Sequence, residues 1–539
     1  MIRDLNQTDE GGASCNAQVC IVGAGTAGIF LAQQLRKLGL QVVMLEAGDA
    51  LARKPEDVDQ QCEQRGMRYR GADLGRSFGL GGTSALWGGQ MIPLAESDMG
   101  PRPGAGFEAW PIGYAEVATF FPVVRGQLGL GVGSGALASA ASSLQASKFS
   151  ALFKLGRNFD LRLSQWLPFK KRNFAKGFAD TLLRDDGLTV WLNATVVGMT
   201  RSGLSGISQI ETITVQSPTR RKLLVRPSVV VICAGALEST RLLLEFDEAT
   251  DKSITREGAP LGRYFADHLS VTCGRFACRD WRRFNLAVGP IFEKGVMRTP
   301  RMELTGLAQN ELGLTSAFAH FTFLTQGNTG FDVVRSLLRR RQGEQQSVSF
   351  SPALLWRVLA DVSAMAFWRG VYRRLWIPRK ADLLLQVDIE QMPNAASRLT
   401  LSDQRDAFNR RRLVIDWQIT PDDVRVIRKV AEITIDAWQA SPLREMAELH
   451  ATLPEKFDSL ATLYDVYHPT GSLRMGTSAA NSVVDKDLRL WKTDNCYVTT
   501  TAVFPSAGSA NPGLTHLALT ARLAEHLGKR LGKAQSMKP

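Results

Sequence analysis

Two polar side chains near the end of the chain are typed for proton chemistry. His468 sits in YHPTGSLRMG, beside a turn and upstream of a strand, and is one of six histidines in 539 residues. An imidazole titrates near working pH and so suits a general base for a hydroxyl proton. Asn511 lies 43 residues later, in SANPGLTH, and its amide NH2 can donate to a developing alkoxide without returning a proton. Each also has a plainer account. A histidine before proline is often a hydrogen-bonded connector, and Asn-Pro commonly opens a turn. The ligand they would face decides between the two accounts.

The first fifty residues name a class of ligand. QVCIVGAGTAGIFLAQQLRKLGLQVVMLEAG, residues 18–48, reads as strand, glycine turn, helix and second strand, with Gly23, Gly25 and Gly28 making GxGxxG. Gly23 permits the tight turn, Gly25 lets backbone approach a pyrophosphate, and Gly28 lets the helix pack on the strand. Free N–H groups at the helix N-terminus favour phosphate. Glu46 ends the second strand, 18 residues after Gly28, placed to accept from both ribose hydroxyls and to repel a 2′-phosphate. The ligand is a dinucleotide, and this segment alone does not separate FAD from NAD. A second glycine cluster, RSFGLGGTSALWGG (76–89), lets backbone lie flat on a ligand, and Thr83, Ser84 and Ala85 leave room for a planar ring. LTVWLNATVV (188–197) and SVVVICAG (228–235) read as strands. The second runs into the helix ALESTRLLLEF, so the dinucleotide domain is interrupted by long insertions.

Taken together, VGAGTAGIFLAQQL with LEAG, GLGGTSALWGG, CAGALESTRLLL, LGRYFADH, PNAASRLTLSD, HPTGSLRMG and FPSAGSANPGLTHLALTARLAEHL resemble, in order and over nearly the whole length, the glucose–methanol–choline (GMC) oxidoreductases. The WGG ending is similar to the pyranose-oxidising branch. The resemblance implies an α/β (mixed α+β) fold, a Rossmann-like FAD-binding domain with an inserted substrate domain whose antiparallel sheet roofs the flavin. The expected division is FAD-binding over 15–99, 188–275 and 461–539, and substrate domain over 100–187 and 276–460. Within the latter, ADLLLQVDIEQMPN and SRLTLSD are expected in the roof. The resemblance pairs His468 and Asn511 as catalytic residues. It adds Thr26, Gly82, Val197, Ala234, Gly235, Ala502 and Asn511 to the cofactor contacts already named, Gly23, Gly25, Gly28, Glu46, Thr83 and Ser84. His268 is expected as a structural contact near the FAD, and His516 and His526 as helix-face residues. Thr500 stands where relatives usually carry Asp. Leu86 stands where some relatives carry a flavin-tethering histidine, so FAD is expected to be non-covalent. The implied reaction is oxidation of an alcohol, on a sugar or glycoside, to a carbonyl, with oxygen or a separate carrier as electron acceptor. The rivals are an NAD-dependent dehydrogenase and a flavoprotein without net redox turnover, mutase-like or a scaffold.

Composition bounds the setting. Seven cysteines without CxxC spacing speak against a structural zinc site and for a reducing compartment. The N-terminus lacks a signal-peptide pattern and no apolar run spans a bilayer, so a cytoplasmic protein is expected. The formal charge is +13, and residues 331–380 hold ten Arg and Lys against three acids. Trp368, Tyr372 and Trp376 recur there at helical spacing. Such a segment either lies on an anionic membrane or docks a partner, or packs its aromatics on the domain with its arginines in water, the last being the plainer expectation. GVGSGALASAASSLQAS (131–147) reads as a loop, a candidate lid.

Overall fold

A computed structural model describes residues 1–9, 13–131, 148–203, 207–325, 327, 329–342, 352–452 and 462–532. The candidate lid, residues 131–147, lies outside the described residues except for residue 131.

Two sheets with opposite pairing habits meet over one cavity. In the first, Leu188–Leu192, Val42–Leu45, Ala13–Val22, Lys222–Ile232 and Cys496–Val498 run parallel, with Ile2–Asp4 at one edge. Strands buried on both faces need continuous apolar runs. Val19, Cys20, Ile21 and Val229 to Ile232 are accordingly 0–1% exposed. LTVWLNATVV, expected as one strand, is two. Leu188–Leu192 and Thr195–Arg201 break at Asn193, whose left-handed backbone (φ 52°) turns a corner that asparagine tolerates. The second piece joins Ile210–Gln216 as an antiparallel flap on the same sheet.

The second sheet is antiparallel, in the order Ala447–Ala451, His268–Cys278, Asp382–Glu390, Ala317–Leu324, Val296–Leu304, Phe159–Trp166 and Gln90–Met91. Gln90–Met91 and the start of His268–Cys278 belong here although they fall within 15–99 and 188–275. Direct partners across an antiparallel pair share a face. The registers Trp166↔Met297, Glu303↔Phe318, His320↔Gln386 and His268↔Glu390 therefore define one polar face bearing Arg301, Asp388 and Ser270. The other face is apolar. Leu385, Val387, Ile389 and Val271 share a core with Val426, Ile427, Val430 and Trp438 of the helix Pro421–Ala440. SRLTLSD is not in the roof. Arg398–Arg405 pairs with Arg411–Trp417, which pairs in parallel with Glu63–Gly66, making a separate three-stranded sheet.

Candidate active site

Three helices begin on the wall of one cavity of about 440 Å³. Thr26–Lys37 starts at Gly25, Gly235–Ala249 at Ala234 and Gly513–Arg530 at Pro512, none with a side-chain cap. Uncapped N-termini leave N–H donors and the positive ends of three helix dipoles open to an anionic ligand. The glycines explain how the backbone comes so near. Gly23 (φ +104°) abuts Cys233, where a Cβ would lie 2.7 Å from its carbonyl oxygen. A Cβ on Gly28 would lie 2.0 Å from the Gly23 oxygen, so Gly28 is a packing residue and does not line the cavity. Gly25 differs. Its Cβ would meet no protein atom nearer than the Gly82 Cα at 3.9 Å, so the space kept clear there is ligand space.

Glu46 is buried, and it does more than wait for a ribose. Oε2 accepts from Ala24 N (2.8 Å), and Oε1 accepts from Gly48 N (3.0 Å) and Gly79 N (2.9 Å). Burial pushes its carboxyl pKa up against those donors. A carboxylate offers about four acceptor positions, so roughly one remains for a hydroxyl. Thr26, Gly82, Thr83, Ala234 and Gly235 also line the cavity. Besides Gly28, three expected contacts do not. The Ser84 hydroxyl turns away to donate to Gly81 O and accept from Phe174 N. Val197 sits at a bulge in its strand, which hands the cavity position to Val196. Ala502 is buried in the short turn Thr501–Val503, and Thr500 lines the cavity while its side chain caps that turn. Leu86 is not on the cavity wall, whereas Trp87 is.

At the other end the side chains converge. The His468 N–H donates to Asp267 Oδ2 (2.7 Å) and its ring lies between two partners. Nδ1 is 3.2 Å from His268 Nδ1, and Nε2 is 3.5 Å from Asn511 Nδ2. His268 touches the ring of His468 but does not itself line the cavity. Asp267 accepts from Tyr69 Oη (2.7 Å) and His268 N (2.7 Å) as well, stapling both histidine backbones to one buried carboxylate. Tyr467, just before His468, holds a left-handed backbone (φ 67°), the kind of local strain that packing must enforce. Burial lowers the His468 pKa to about 3, with His268 and Arg301 adding repulsion and Asp388 opposing. His516 corrects the helix-face expectation. In the first turn of Gly513–Arg530 it is half-buried, lines the cavity and has its pKa lowered by desolvation to about 4. Trp87, Gln90 and Trp166 complete this end. Gln90 Nε2 donates to Ser164 Oγ at 2.6 Å, and Trp87 Nε1 to Arg172 O at 2.8 Å.

Among the described residues no His, Cys, Asp and Glu group could hold a metal, all seven cysteines are free, and no helix is long and apolar enough to cross a membrane.

Comparison with known proteins gives this geometry a class. Residues 393–520 match the GMC oxidoreductase C-terminal family, and residues 16–70 match the FAD binding domain family. A flavin oxidoreductase acting on CH–OH groups, with FAD as its cofactor, is what these two domains define. Similar folds occur in pyridoxine 4-oxidase from Mesorbium loti (TM-score 0.60, 18% identity, 95% of this chain and 99% of that one). They occur also in a variant of Aspergillus oryzae RIB40 formate oxidase (TM-score 0.57, 14% identity, 97% and 99%) and in a second formate oxidase structure (TM-score 0.58, 14% identity, 96% and 99%). No curated protein sequence matches the chain. The three uncapped helix starts and the clear space at Gly25 fit a dinucleotide carrying a pyrophosphate.

Proposed function

We propose that the protein oxidises an alcohol group on a hydroxyl-bearing ring of the sugar or glycoside type, with His468 as the base and Asn511 as the donor to the alkoxide. The observation that carries this reading is the 3.5 Å approach of His468 Nε2 and Asn511 Nδ2 on the cavity wall. FAD, when bound, supplies the hydride acceptor. The protein's own share is proton handling. If Nε2 is to take a hydroxyl proton, Nδ1 must carry the other ring hydrogen, and the lone pair of His268 Nδ1 is the acceptor that holds this tautomer. His268 then bears its hydrogen on Nε2, a buried atom without a partner. The depressed pKa keeps His468 neutral, and so free to accept a proton, at pH values well below the range in which an ordinary histidine protonates.

The ring assignment is supported by the indoles of Trp87 and Trp166 beside the Gln90 amide. Indole faces suit the C–H faces of a pyranose, and the amide suits its hydroxyls. We take FAD to be held non-covalently, since Leu86 offers no nucleophile, and acid precipitation should then leave the yellow colour in the supernatant. Electrons pass on to oxygen or a separate carrier. Admitting air to the substrate-reduced protein separates the two.

His468→Ala tests the reading. The variant should keep its flavin absorbance yet lose anaerobic bleaching by substrate by roughly 10²–10⁴-fold. Bleaching at a near-normal rate would remove His468 from the role.

A further inference from the structure

The helix Pro352–Phe367 runs on into a π-helical turn, Trp368–Tyr372, which ends at Arg373 in left-handed backbone (φ 53°). Trp376 therefore lies beyond the helix. One side of the helix is committed to the protein. Asp361 Oδ2 accepts from Gly330 N (2.7 Å), and a Cβ on Gly330 would lie 2.7 Å from the Val358 Cα. Trp368 is buried, its ring 5.1 Å from Trp281 and 4.9 Å from Tyr372. To this extent the aromatics pack on the body.

The other side is apolar and open. Trp356 is 78% exposed, Leu359 58%, Phe367 54% and Val371 60%, with Val362 on the flank. Three- and four-residue steps along a helix keep such positions on one stripe, and at 1.5 Å per residue it is about 22 Å long. Arg357, Arg369, Arg373, Arg379 and Lys380 are exposed around it. Arg282 joins them, its Nη2 donating to Tyr372 Oη at 2.5 Å. The two acids described in this region are already engaged. Asp332 accepts from Thr325 and Thr329 and pairs with Arg335, and Asp361 holds Gly330. The surface is therefore apolar along its middle and cationic at its rim.

We propose that this helix docks the protein, stripe downward, on a phospholipid surface with anionic headgroups. A convex apolar stripe flanked by arginines, with tryptophan and tyrosine at the boundary, suits an interface that deforms around it. A second copy of the chain would bring the same cations face to face. The contact is linked to the site. The preceding helix, Gly330–Gln342, ends with Gln342 Nε2 donating to Trp87 O (2.8 Å) and Ser84 O (3.2 Å) in the loop beside the cavity.

The test is flotation of the FAD-loaded full chain with mixed phosphatidylserine–phosphatidylcholine vesicles. Binding is expected at low salt, and about tenfold or more weaker at high salt or on pure phosphatidylcholine. Trp356→Ser with Phe367→Ser, and separately Arg369→Gln with Arg373→Gln, should each weaken it by about tenfold, with flavin bleaching by substrate in solution unchanged. Quenching of tryptophan fluorescence by bromine-labelled lipid reads insertion in the unaltered protein, should a variant not fold. Absence of both flotation and quenching would overturn the proposal. So would binding that survives both variant pairs, or a dimer dissolved by Trp356→Ser in a protein that ignores vesicles.

Discussion

The two ends of the cavity are made of different materials. Around Gly23–Gly28 the wall is backbone, with glycines pressed onto carbonyls, bare helix starts and one carboxylate, Glu46, gathering three N–H groups. Around His468 the wall is side chains, an imidazole and an amide, with the ring of His268 touching that of His468 and another imidazole, His516, on the same cavity. A backbone wall is set by hard-sphere sterics and fails as a whole. A side-chain wall is set by proton affinities and can be altered by degrees.

The largest break in this contrast should come from Gly28→Val. With a Cβ 2.0 Å from the Gly23 oxygen, helix and strand cannot close. A loss of about 3 kcal/mol or more and of bound flavin is expected, read by thermal denaturation and by flavin per protein. A variant with full colour and unshifted melting would mean the backbone end is as forgiving as the other. Asn511→Ala comes next. It should keep its flavin and bleach with substrate about 10²–10³-fold more slowly; loss of flavin instead would make Asn511 part of the cofactor's frame.

The smallest effect sharpens the comparison. A depressed histidine pKa means that the neutral form persists as pH falls, so the acid limb of kcat/KM should lie far below the ordinary histidine value, toward about 3. His268 contributes repulsion to that depression. His268→Ala should therefore raise the His468 pKa and move the acid limb upward, with a smaller loss of rate than at His468. An acid limb that stays put in His268→Ala would uncouple the two rings.

What could be read from the sequence follows the same division. Gly23, Gly25 and Gly28 announce a turn because their reasons are local, a positive φ and a close approach within a few residues. Glu46 could be placed at the end of its strand, yet not its bond to Gly79, which depends on where a distant loop returns. The contact of His468 with His268 joins residues 200 apart, and no spacing reveals it. The division at Asn193 and the bulge that swaps Val197 for Val196 are single-residue events that reverse which side of a strand faces inward. His516 escaped for a comparable reason: on a helix each residue turns the side chain by about 100°, so facing depends on where the first turn starts.

Asp267 has a consequence for how such a chain can change. Because one carboxyl group holds the backbones of both His268 and His468, the contact between the two imidazoles is clamped at the two termini of a 200-residue excursion. That excursion includes much of the roofing sheet and the cationic helix, and it can drift, grow or be exchanged without unseating the clamp. The proposed reaction and the proposed docking surface are thereby separable: new surfaces and new clients are accessible to the intervening chain while the two imidazoles stay where they are.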